Sequence, residues 1–66
     1  MQSKKLKQLI AKVYGSEANM ARTMDWPRQR LNKITTGKKV PDVAEIGDMA
    51  KALGTSITQM AEFFLN

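Results

Sequence analysis

Arg28, Gln29, Asn32 and Lys33 crowd into one short stretch of the chain, with Arg30 between them. Arg and Lys donate to the O6 and N7 edge of guanine, and Gln and Asn pair with the N6 and N7 edge of adenine. The chemistry these residues could do is therefore hydrogen bonding to base edges. Bond-making chemistry has no comparable constellation. The chain holds neither Cys nor His, and its acids are scattered singly. No nucleophile-base pair, paired carboxylates or metal-ligand set can be assembled from them. No catalytic residue, metal or cofactor is expected.

Such side chains need a rigid element narrow enough to enter a groove, and the local sequence supplies one. Pro27 disfavours helical geometry at Trp26, while its own fixed φ suits a helix start. A helix is expected over about 28–35, with Gly37 ending it. At 100° per residue, Leu31 and Ile34 point to one side. Gln29, Asn32, Lys33 and Thr36 fall opposite, with Arg28 and Arg30 at the edges. The outer face carries no acid, although solvated helices normally mix both signs.

The remaining elements read as a scaffold for this helix. Leu6, Leu9, Ile10, Val13 and Tyr14 form one apolar stripe of a first helix, stopped by Gly15. Ser16 is placed to cap a second helix over about 17–24, with Ala18, Met20, Ala21 and Met24 on its buried side. Asp25, Trp26 and Pro27 form the break before the third helix. Gly37-Lys38-Lys39-Val40-Pro41 is a solvated loop. Asp42 with Glu45 is a capping box opening a fourth helix that carries Ile46, Met49, Ala50 and Leu53. Ser56 with Gln59 repeats the signal for a fifth helix containing Ile57, Met60, Ala61, Phe63 and Phe64. No alternating strand pattern competes. The expected fold is all-α, five short helices around one small core in a single domain over 1–66.

Charge supports a one-sided partner. The net charge is +5, but residues 1–41 hold ten Lys or Arg against Glu17 and Asp25, while residues 42–66 hold Lys51 against Asp42, Glu45, Asp48 and Glu62. A basic half beside an acidic half points to a polyanion on one face. No segment is apolar for long enough to span a bilayer and no signal peptide is visible, so a cytoplasmic protein is expected.

Taken together, these segments resemble the helix-turn-helix repressors of the lambda-repressor/Cro type, the XRE family, from Leu6 to about Met60. Ala21 stands where the two central helices cross, and Met20, Met24, Trp26, Leu31 and Ile34 occupy apolar positions of the motif. Gly37-Lys38-Lys39-Val40-Pro41 resembles the family's Gly-Lys-x-x-Pro loop. Ala50-Lys51-Ala52-Leu53-Gly54-Thr55-Ser56 is similar to the segment leading into its last helix. Three positions depart from the pattern. Asp25 stands where the turn usually has Gly, though Asp tolerates left-handed geometry better than most residues. Glu17 replaces a Gln that commonly contacts phosphate, so that contact is not carried over. Ile10 and Thr35 replace a buried Arg–Glu pair, both charges having gone together.

The resemblance implies a sequence-specific regulator of transcription, a repressor similar to small phage Cro-like proteins, acting on bacterial or phage DNA. The third helix is then the recognition helix. Gln29 and Lys33, followed by Arg28 and Asn32, are the expected base contacts. Ser16, Arg30, Thr36, Lys38 and Lys39 are the expected backbone contacts, Arg30 having Asp25 as an alternative partner. Lys4, Lys5, Lys7 and Lys12 add either long-range attraction or plain solvation. Trp26 is expected in the core rather than stacked on a base. The partner is double-stranded DNA with a pseudo-palindromic operator, bound by a homodimer that forms on the DNA. Phe63 and Phe64 serve either as a core plug or as the pairing contact. Two other functions remain open. An antitoxin-type interaction protein would need a large apolar patch away from the basic face, and the Phe63 region is the one candidate. A non-specific basic nucleic-acid binder would be indifferent to base sequence.

Overall fold

The structure, a computed structural model, describes residues 3–65; residues 1, 2 and 66 of the expected 1–66 domain lie outside the described residues. Five helices follow one another: α1 (Ser3–Tyr14), α2 (Glu17–Thr23), α3 (Arg28–Thr35), α4 (Val43–Leu53) and α5 (Ile57–Glu62). Among the described residues there is no strand. The caps act where the sequence placed them. The Ser16 side chain accepts the Asn19 backbone N–H, and complete capping boxes open α4 (Asp42 with Glu45) and α5 (Ser56 with Gln59). α2 stops one residue short of the expected limit, Met24 being its C-cap. Gly54 ends α4 at φ 68°, a left-handed conformation that costs glycine little.

Each helix contributes its inner stripe to one core. Leu6 and Ile10 enter from α1, Met20 and Ala21 from α2, Leu31 and Ile34 from α3, Met49, Ala50 and Leu53 from α4, and Met60 from α5. The α2–α3 pair packs on α1, and α4 packs on both α1 and α5. The outer face of α3 is thereby left open.

Three apolar positions differ from the helical pattern or decide between its alternatives. Val13 lies on the α1 stripe yet is 48% exposed. In the last turn Tyr14 takes the inward position instead, its hydroxyl donating to the Ala52 carbonyl at 2.6 Å. α5 ends at Glu62, so Phe63, expected within the helix, is its C-cap and Phe64 lies in the turn beyond it; both pack half-buried against the core, as a plug would. The apolar side chains left in solvent at that end are Ile57 (59%) and Leu65 (62%). Trp26 is half-buried against the core, as the sequence indicates.

Candidate nucleic-acid interface

The break before α3 sets its direction. Asp25 adopts φ 59°, the left-handed geometry expected at the turn, and the Trp26 N–H reaches back to the Ala21 carbonyl at 2.8 Å. Pro27 then opens α3 without a side-chain cap. At the far end Gly37, at φ 81°, folds the loop under the helix, so that Lys38 and Lys39 N–H groups both donate to the Lys33 carbonyl. The two loop lysines are thus tied to α3 by their backbone.

A side-chain bond fixes α3 against α2. Thr35 is fully buried and its hydroxyl donates to Glu17 Oε1 at 2.7 Å. Glu17 therefore faces inward, which agrees with the phosphate contact not being carried over to it. Ile10 and Thr35, at the two positions that lack the family's charges, are both buried. Here a neutral donor meeting a partly buried carboxylate links the motif.

Arg28, Gln29, Asn32 and Lys33 are all exposed, and together with Lys38 they line one shallow depression on the outside of α3. Every expected base-contacting residue is therefore part of one surface. No side-chain hydrogen bond or ion pair engages these side chains among the described residues, so their donors and acceptors face solvent. Arg22, which sequence reasoning did not single out, borders a second depression with Arg28. Its signal was its place in the last turn of α2, directly before the motif's break.

The expected backbone-contacting residues divide by their existing partners. Ser16 caps α2 as an acceptor, leaving its hydroxyl hydrogen free to donate. The Thr36 hydroxyl already donates to the Asn32 carbonyl at 2.7 Å, so a phosphate contact there requires a change of partner. Lys38 makes no ion pair among the described residues. Arg30 and Lys39 share one: Arg30 Nε and Lys39 Nζ both donate to Glu45 Oε2, at 2.9 and 2.8 Å. The alternative pairing of Arg30 with Asp25 is not made. The Arg30 guanidinium lies over the Trp26 ring, 4.1 Å from its centroid, within the range of a cation–π contact.

Glu45 is the residue whose wider role the sequence did not reveal. Its capping box is visible in the spacing, but its partners on α3 and the following loop leave no periodic trace. The residue is 1% exposed, and its other oxygen accepts the Asp42 N–H at 3.1 Å. The Lys39 ammonium, then the Asp42 N–H, hold its pKa at about 2 against the opposing effect of burial, with Arg30 assisting. It stays ionised throughout the physiological range.

Among the described residues no cluster of His, Cys, Asp and Glu could hold a metal ion, and no helix is long and apolar enough to cross a membrane. A family model described as helix-turn-helix matches residues 6–60, most of the chain. No curated protein and no solved structure shows a significant match.

Proposed function

Because the chain belongs to the helix-turn-helix family of DNA-binding regulators, in its lambda-repressor/Cro-type branch, we propose that it is a sequence-specific repressor reading double-stranded DNA with α3. One observation carries this reading: the acid-free outer face of α3 gathers Arg28, Gln29, Asn32 and Lys33 beside Lys38 with no competing partner among the described residues. In the major groove Gln29 and Lys33 meet base edges, with Arg28 and Asn32 beside them. Ser16, Arg30, Lys38 and Lys39 hold the sugar-phosphate backbone, and Thr36 joins them if its hydroxyl changes partner. Two copies bind a pseudo-palindromic operator in the cytoplasm, as a small Cro-like protein would. No metal, cofactor or membrane takes part.

Selection of bound duplexes from a random pool tests this reading. A two-fold related consensus supports sequence-specific binding by two copies. Equal recovery of scrambled sequences overturns it in favour of a non-specific basic binder. The antitoxin-type alternative would use the same C-terminal region, where Phe63 and Phe64 are half-buried and Ile57 and Leu65 are exposed.

A further inference from the structure

Arg30 and Lys39 come from different segments yet meet on a single buried oxygen, Glu45 Oε2. The two nitrogens cannot lie farther apart than the two bonds laid end to end, about 5.7 Å. Two cations this close repel each other unless an anion sits between them. Glu45 is that anion, and it is itself immobile: its backbone N–H and second oxygen are both tied to Asp42 in the capping box. Arg30 is held a second time by the Trp26 ring beneath its guanidinium.

Neither cation is used up by the contact. Arg30 gives Glu45 only its Nε–H, and its four Nη hydrogens have no partner among the described residues. Lys39 gives one of three ammonium hydrogens. Their side chains remain 41% and 43% exposed, while that of Glu45 is 1% exposed. The result is a fixed pair of cationic donors, one on α3 and one on the loop that follows it, with its counter-charge buried beneath them.

We propose that Glu45 is a positioning residue for DNA, holding Arg30 and Lys39 as a preorganised two-cation clamp on one backbone phosphate beside α3. This rests on the DNA-binding reading above and adds to it a residue that itself never touches DNA. Without Glu45 each long side chain must be ordered at the moment of binding, an entropic cost that lowers affinity by roughly tenfold. The sign is opposite to simple charge counting, by which removing an acid should strengthen binding to a polyanion.

The test compares wild type, Glu45→Gln, the double variant Arg30→Ala/Lys39→Ala, and the triple variant combining them. Affinity is measured on random-sequence duplex DNA and on a duplex selected by the protein. Glu45→Gln keeps the side-chain oxygen that accepts the Asp42 N–H and replaces Oε2, the acceptor shared by Arg30 and Lys39, with an uncharged amide NH2 that cannot accept from either. It is expected to weaken binding to both duplexes about tenfold and to have no effect in the double-variant background. Unchanged or tighter binding, or an equal loss in both backgrounds, overturns the clamp while leaving the DNA reading intact. Failure of the wild type to bind any duplex overturns the DNA reading, and the clamp with it. Should Glu45→Gln not fold, nuclear magnetic resonance of the unmodified protein decides. The Arg30 Nε–H signal is expected to stay hydrogen-bonded in the complex, and its collapse onto free-arginine signals would overturn the clamp.

Discussion

At the scale of single residues, the exposed α3 side chains and Glu45 make opposite demands. Gln29 and Lys33 have no side-chain partner among the described residues, so truncating them should leave the fold untouched and alter only recognition. Gln29→Ala and Lys33→Ala are each expected to cost about 1–3 kcal/mol of specific binding and to relax preference at one position of each half-site. Ranking operator variants by titration checks this; unaltered rankings for both would remove them from the reading face. Lys38→Ala should instead weaken all sequences alike and lower the slope of log affinity against log salt by about one unit. Glu45 is seen in stability. Its pKa of about 2 lies below the ordinary 4.5, so the folded state favours the charged form. That stabilisation is complete above pH 4.5 and is lost as pH falls from 4.5 towards 2. The loss should reach about 2–3 kcal/mol, reduced by solvent around the half-exposed Lys39 and Arg30. Denaturant midpoints for wild type and Glu45→Gln should therefore converge across this range, and parallel pH profiles would contradict it.

At the scale of elements, the tight turn between α2 and α3 stores the clearest strain. Asp25 holds φ 59°, where an L residue pays for its Cβ. Asp25→Gly is expected to stabilise the fold by about 0.5–1 kcal/mol, a rise of a few degrees in Tm, whereas Asp25→Val should destabilise it. Equal melting temperatures for the three proteins would show the turn to be unstrained. This turn was legible before the structure because a local conformation had a local signature. The same holds for the caps at Ser16, Asp42 and Ser56 and for the limits of α3. What was not legible is cross-element: the Thr35–Glu17 bond and the Glu45 pairs join residues that helical periodicity does not relate. Val13 was misplaced for a similar reason. A stripe specifies the side of a helix that faces inward, but not how far along it the neighbouring elements reach.

At the scale of the whole molecule, size sets how two copies can assemble. Under the proposed reading one α3 covers only a few base pairs, so a unique site would need a pair of half-sites about 34 Å apart, one DNA turn, on the same face of the duplex. The backbone measures 27 × 23 × 22 Å, so adjacent copies over such half-sites approach each other without extensive overlap. A standard stable interface takes about 800 Å² from each partner, close to a fifth of this chain's 4314 Å². Under the proposed reading the α3 face stays open for DNA, and Phe63 and Phe64 are partly buried against the core. The apolar groups left at that end, Ile57 and Leu65, are too few to cover such an area. The protein should therefore sediment as a monomer at low concentration and as two copies on a selected operator, with cooperative titration. Replacing Ile57 and Leu65 with Ser should reduce cooperativity while leaving half-site affinity unchanged, if pairing uses the C-terminal end. One chain on a full-length operator, bound without cooperativity, would refute the dimer.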